Sequence, residues 1–291
     1  AVEAAAAICG AEVEGAEVGS RALTFRPGSV RAGDHLFSVG TAGSATLVLQ
    51  TILPALLLAP GASRLVLEGG THNPLAPPFD FLERVFVPLI NRMGPRVSVR
   101  LERPGFYPAG GGRFTVEIEP ASRLVPLELT ERGEIRDRRA RALVANLSPR
   151  IAQRELAVVR EQLGWDEGLL RVEQVRGSPG PGNALLIEIG SEHVTELFAG
   201  FGERGVAAEE VAAHACREAQ RYLTAGVPVG DHLADQLVIP LALAGGGAFR
   251  TLALSRHTAT QLELVPRFLP VSFRASASGD DVVEVRAATT A

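Results

Sequence analysis

Gln50-Thr51-Ile52-Leu53-Pro54-Ala55-Leu56 and Gln236-Leu237-Val238-Ile239-Pro240-Leu241-Ala242 each set a glutamine four residues before a proline in an apolar stretch. The two stretches lie 186 positions apart, and Thr71 and His257 keep the same spacing. Each stretch reads as an apolar helix followed by a short strand, Arg64 to Glu68 and Arg250 to Leu254. The loops Gly69-Gly70-Thr71-His72 and Ser255-Arg256-His257-Thr258 come next, then second helices over Phe79 to Met93 and roughly Ala259 to Phe268. Segments alternating with period two close each copy: Arg96 to Leu101 with Arg113 to Glu119, and Val271 to Ala277 with Val282 to Arg286. One order of helix, strand, helix, strand and strand at a shared offset indicates an internal repeat.

The opening Ala1 to Gly10 reads as the tail of a helix stopped by its glycine, with Ala11 to Val18 and Arg21 to Phe25 as two strands. This is the second half of a further copy, so a front half is expected upstream. Glu131 to Gly226 lacks the pattern. There Ala142 to Leu147, Leu169 to Val175 and Leu185 to Ile189 read as strands, and Pro149 to Leu163 and Val206 to Leu223 as helices, Ser148 capping the first. The expected organisation is a repeat-built catalytic domain from residues 1–130 and 227–291, interrupted by a small α/β domain at 131–226.

With 291 residues, 46% of them hydrophobic, the chain is long enough for about two domains. All 29 basic residues are arginine. That excludes Schiff-base chemistry, the P-loop lysine and lysine-linked nucleotidyl transfer. A net charge of −4 argues against broad non-specific nucleic-acid binding, so any contact with RNA is local. Cys9 and Cys216 are the only cysteines, too few for a disulfide framework or a cysteine zinc cluster, and they fit a reducing cytoplasm. The longest apolar run, Leu47 to Ala59, is interrupted by Gln50, Thr51 and Pro54 and is too short to cross a bilayer.

His257 is the first candidate for chemistry. It follows a strand, where α/β folds bind ligands, and reads as a nucleophile or acid/base, or as an ordinary polar loop residue. Asp235 and Gln236 lie near the start of their helix, which favours an anion, or they are simply polar-face residues; Asp231 reads as its N-cap. Gly110-Gly111-Gly112 allows a close backbone approach to a ligand, or makes a hairpin connection with a bulge. Pro77 or Pro78 offers an apolar wall for a flat ring, or merely stiffens its loop. Gly245-Gly246-Gly247 reads as a helix stop. His35, His193 and His214 lack ligand spacing and read as ordinary polar residues, and no cluster reads as a protein-built metal site.

Gly-Phe-Tyr-Pro-Ala-Gly-Gly-Gly at 105–112, Gly-Gly-Thr-His-Asn-Pro-Leu-Ala-Pro-Pro at 69–78, Leu-Ala-Asp-Gln at 233–236 and the His257 loop together resemble the RNA 3′-terminal phosphate cyclase family, whose signature is the first of them. The resemblance implies an α+β fold of tandem βαβαββ-type units, enolpyruvyl transferase-like, with the first unit truncated and a small thioredoxin-like domain inserted. The insert has no Cys-x-x-Cys pair, so no redox role follows. The implied activity uses ATP and Mg2+, or another divalent cation, to convert an RNA 3′-phosphate to a 2′,3′-cyclic phosphate. His257 matches the residue that takes AMP. Gln50 and His232, Leu233, Ala234, Asp235 and Gln236 match ATP contacts. Pro77 matches one face of the adenine slot and His232 the other, where tyrosine is common in the family. Pro104 replaces a usual arginine or histidine, and His72 a usual aspartate. The family's N-terminal segment, with its acidic metal ligand, has no counterpart in this chain, so no metal ligand is assigned. The expected partners are ATP and RNA with a 3′-phosphate end, and no membrane.

Two other readings stand beside this one. A non-catalytic relative that binds RNA or assists ribosome assembly, or an inactive fragment, would share the fold; such relatives lack the histidine. An enolpyruvyl transferase shares the fold only by analogy and depends on lysine, which is absent here.

Overall fold

Alanine-rich α1 (Val2–Cys9) ends at Gly10, which takes the left-handed conformation of a helix stop. The computed structural model describes residues 1–290. After α1 come β1 (Glu12–Glu14) and β2 (Thr24–Arg26), a short antiparallel pair rather than the longer strands expected there.

Next follow β3 (Gly33–Ser38), α2 (Ala45–Leu56), β4 (Ser63–Gly69), α3 (residues 79–92), β5 (Arg96–Arg103) and β6 (Gly112–Glu119). The helix α3 widens into a π-helical turn over Leu82–Phe86 between two α-helical ends. These strands form a sheet of order β3-β4-β6-β5, with β3 and β4 parallel and the other pairs antiparallel. Its buried face carries Leu65, Leu67, Phe114, Val116 and Ile118, which meet Leu49, Ile52, Leu53 and Leu56 of α2 in one core. Arg113 on the other face binds Glu68 and Glu102. Period-two alternation thus assigns one face to the core and one to charge.

After β7 (Leu127–Leu129) the chain runs through β8 (Ile135–Ala145), α4 (Arg150–Leu163), β9 (Leu170–Gln174), β10 (Gly182–Ser191), β11 (Thr195–Phe201) and α5 (Ala208–Ala225). The sheet order is β11-β10-β8-β9. Both faces of β10 are covered. Leu185, Ile187 and Ile189 join a core with Val159 of α4 and Cys216 and Tyr222 of α5, whereas Ala184 and Leu186 join the larger core. That is why β10 reads as a continuous apolar run rather than an alternating one. The α4 start lies within a residue of its expected place, with Pro149 at the N-cap and no side-chain cap.

The chain ends with α6 (Asp231–Ala244), β12 (Gly246–Leu252), α7 (Arg256–Leu264), β13 (Val271–Gly279) and β14 (Val282–Thr289). Their sheet has the order β7-β12-β14-β13, again with its first pair parallel and the rest antiparallel. The β3-β4-β6-β5 and β7-β12-β14-β13 sheets therefore share one strand order, which the third four-stranded sheet does not. Two expected boundaries move. Gly245 stops α6 in the left-handed conformation, but Gly246 and Gly247 already belong to β12, so that strand starts four residues before Arg250. Ser255 caps α7 with its side chain, so the helix begins at Arg256 and not near Ala259. The leading strands β3 and β7 were not expected: β3 carries Asp34 and His35 and is half exposed, and β7 is three residues long. Among the described residues, no helix is long and apolar enough to cross a membrane.

Candidate active site

Helix α6 starts at Gly230, whose N–H is accepted by Glu196 Oε1 from β11 at 2.5 Å. Gly230, and not Asp231, occupies the N-cap; Asp231 is the first helical residue and pairs with Arg221 at 3.2 Å. Burial pushes the Glu196 carboxyl up to about 8, against the pull of the Gly230 and Leu197 N–H groups. One turn along, Leu233, Ala234 and Leu237 face the core, His232 is exposed, and Asp235 and Gln236 are half-buried. Gln236 Oε1 accepts Gln50 Nε2 of α2 at 2.5 Å. Each glutamine precedes a proline by four residues, and proline has no N–H to give back to that glutamine's carbonyl, so each helix lacks one backbone hydrogen bond there.

Asp235 Oδ1 accepts the hydroxyls of Ser255, at 2.8 Å, and Thr258, from the first turn of α7. Between those two residues stands His257, exposed, at the second position of the helix rather than in a loop. A cleft of about 760 Å³ opens in front of them. Its lining includes Pro74 to Pro78 of the loop before α3, His232, Asp235 and Gln236 of α6, His257 of α7, and Leu197, Phe201, Val211, His214 and Glu218 of β11 and α5. Thr46 of α2 holds the proline loop by donating to the Pro77 carbonyl at 2.8 Å.

Behind that loop lies a buried polar chain. His72 Nε2 meets Asp80 Oδ2 at 2.9 Å, its Nδ1 meets Thr71 Oγ1 at 2.8 Å, and its ring stacks on Phe106. Asp80 also binds Arg141 of β8, which reaches Glu173 at 3.1 Å. Burial alone would raise the Asp80 carboxyl, but the bonds and charges of His72 and Arg141 outweigh it and hold it well below the usual carboxylate range. Among the described residues no group of three or more His, Cys, Asp or Glu side chains is placed to hold a metal ion.

Residues 1–275 match the family model described as RNA 3′-terminal phosphate cyclase. The chain is 52% identical over 276 residues to an RNA 3′-terminal phosphate cyclase of Koribacter versatilis, covering 95% of this chain and 78% of that one. It is 49% identical to one of Pseudomonas fluorescens, over 98% of this chain and 83% of the relative. One of Salmonella agona is 50% identical over 94% of this chain and 79% of its own length. The chain belongs to this family.

Of the residues matched to family positions, the fold brings Pro77, His232, Asp235, Gln236 and His257 to a single cleft. Gln50 does not line it and reaches it through Gln236. The side chains of Leu233 and Ala234 are buried in the core and do not line the cleft, because they sit on the inward face of α6, which leaves only their main chain free to meet a ligand. Of the two readings of the signature glycines, the structure shows the hairpin connection. They join β5 to β6 as a hairpin connection, with a register shift between Leu101 and Arg103, and none of them lines the cleft. A Cβ on Gly110, whose φ is +65°, would stand 2.7 Å from Thr41 O. The family signature thus packs one loop on another. The part of the lining that comes from β11 and α5 was missed. No spacing in the sequence relates Leu197 or His214 to His257, and only the docking of the 131–226 segment brings them together.

Proposed function

We propose that the protein converts the 3′-terminal phosphate of RNA to a 2′,3′-cyclic phosphate at the expense of ATP, with His257 as the residue that carries AMP. The observation that carries this reading is one cleft shared by an exposed histidine in the first turn of α7 and by Pro77, His232, Asp235 and Gln236. Neutral imidazole is a good nucleophile near pH 7, and the helix start beside it favours an anionic phosphate. A ring nitrogen of His257 forms a bond to the α-phosphorus as the α–β P–O bond breaks, and pyrophosphate leaves with the electron pair. An oxygen of the RNA 3′-phosphate next bonds to that phosphorus, and the N–P bond breaks back to imidazole. Finally the RNA 2′-hydroxyl oxygen bonds to the 3′-phosphorus, its proton passes to solvent, and AMP leaves.

Pro77 and His232 would flank the adenine, with histidine giving a smaller stacking face than tyrosine. The main chain of Leu233 and Ala234 would run beneath it, while Asp235 and Gln236 bind along the nucleotide. Among the described residues no three or more His, Cys, Asp or Glu side chains gather at a metal site, and no step is derived through the divalent cation of this reading. A cytoplasmic location belongs to the same reading. So does the organisation: tandem βαβαββ units over 1–130 and 227–291, with a thioredoxin-like insert at 131–226. What supports it is the strand order shared by the β3-β4-β6-β5 and β7-β12-β14-β13 sheets, and a second core drawn mostly from residues 131–226.

The test is incubation with α-labelled ATP and magnesium. Label on the protein that is acid-labile and base-stable, and is lost in His257→Ala, is the expected result, together with cyclic ends on RNA offered with a 3′-phosphate. Full labelling of His257→Ala would remove His257 from the chemistry. An unlabelled wild-type protein that still binds RNA would favour a non-catalytic relative.

A further inference from the structure

His257 is bracketed by two hydroxyls that share one acceptor. Ser255 Oγ donates to Asp235 Oδ1 at 2.8 Å, and Thr258 Oγ1 donates to the same oxygen. Ser255 Oγ also accepts the Thr258 backbone N–H at 3.0 Å, which is the helix cap itself. The two hydroxyl oxygens lie 3.0 Å apart, but each has a single hydrogen, and the carboxylate is the stronger acceptor for both. Thr258 is fully buried. Asp235 in turn sits beside Gln236, which is tied to Gln50 of α2. A continuous path of hydrogen bonds and adjacent residues therefore runs from α2 through α6 to the residues on either side of His257.

We propose that Ser255 and Thr258 are positioning residues: by clamping the start of α7 to Asp235 they set the direction in which the His257 imidazole enters the cleft. This rests on the reading of His257 as the group that takes AMP. The physical need is geometric. An attacking atom must stand within about 3–3.5 Å of phosphorus and in line with the leaving group, and a misplacement of about 1 Å can cost on the order of a hundredfold in rate. A free helix start carries no such precision, because its first turn is held only by the cap. Two donors on one carboxylate oxygen hold it to the same helix that lines the nucleotide side of the cleft.

Thr258→Val keeps the shape and β-branching of the side chain and removes only the donor. Expected is a fall of about tenfold or more in the rate of self-labelling by α-labelled ATP, with the concentration of ATP giving half the maximal rate changed by less than about threefold. The final amount of label per protein stays at the wild-type level. A merely structural loss would instead lower that amount by removing folded sites. Thr258→Ser restores the donor and is expected to recover the rate to within about threefold of wild type. Ser255→Ala, checked with the others by thermal melting, moves the rate in the same direction and stands in should Thr258→Val fail to fold. Label on His257 at an unchanged rate in Thr258→Val and Ser255→Ala overturns the positioning role alone. So does a deficit that appears only in the ATP dependence, or one that Thr258→Ser does not repair. An unlabelled wild-type protein, or full label in His257→Ala, overturns the nucleophile reading and the positioning role with it.

Discussion

Gln50 and Gln236 illustrate how one side chain prepares another. Gln236 lines the cleft, but its amide oxygen is held by Gln50, which lies outside it. Gln50→Ala removes one neutral hydrogen bond of roughly 0.5–1.5 kcal/mol, so in the proposed reaction ATP affinity should weaken by about two- to tenfold while the labelling rate at saturating ATP is kept. An ATP titration of His257 labelling checks this, and a loss confined to the saturating rate would contradict it. Leu233 sits two positions before Asp235, with its side chain fully buried. Leu233→Ala should cost about 2–5 kcal/mol of stability, seen as a lower midpoint in denaturant, because its cavity opens in the core and not in the cleft.

At the scale of elements, the loop between β5 and β6 is the clearest case of a motif whose role is packing. Gly110 takes φ +65°, and a Cβ there would stand 2.7 Å from Ala42 Cα as well as from Thr41 O, both in the segment leading into α2. Gly110→Ala therefore meets backbone on two counts, strain and overlap, and should lower unfolding free energy by more than about 1 kcal/mol. Urea denaturation measures it, and a neutral result would mean that the 41–42 segment can move aside. Elements also decide how His257 is presented. The expectation of a loop failed because the cap residue Ser255 comes directly before Arg256, and one hydroxyl at the N-cap is enough to start the helix three residues earlier.

Across the whole molecule, the 131–226 segment is joined to the rest by buried polar contacts as well as by apolar packing. Arg141 of β8 binds Asp80 of α3, and Glu196 of β11 binds the first turn of α6. Glu196 has its carboxyl raised to about 8, and burial likewise pushes Glu155 up to about 7. Both bind more protons folded than unfolded between about pH 4.5 and their folded values, so stability should decline as pH rises through that window. Glu196→Gln cannot ionise and should flatten that decline, by as much as several kcal/mol between pH 5 and pH 8. Thermal melting at a series of pH values gives the answer, and identical pH profiles for the variant and the wild type would show that Glu196 titrates normally. Asp80, held low by His72 and Arg141, acts in the opposite sense: its contribution is present above the ordinary carboxylate range and fades as pH falls below it.

The alternation of Phe114, Val116 and Ile118, the glycine stop at Gly10 and the spaced Gln-x-x-x-Pro pairs were legible from the chain alone, because strand pleat, helix cap and helix period are set by neighbours a few residues away. So were His257, Pro77, His232, Asp235 and Gln236 as candidates, through a family pattern that survives in local words. Three things were decided only by tertiary structure. Leu233 and Ala234 turned inward because the core behind α6 takes that face. The signature glycines went to a loop–loop contact because Thr41 and Ala42, some 70 positions earlier, lie against them. The β11 and α5 share of the cleft lining came from a segment whose own sequence carries no mark of His257. Local chemistry decides what each stretch can become, and long-range packing decides which of its faces a ligand can reach.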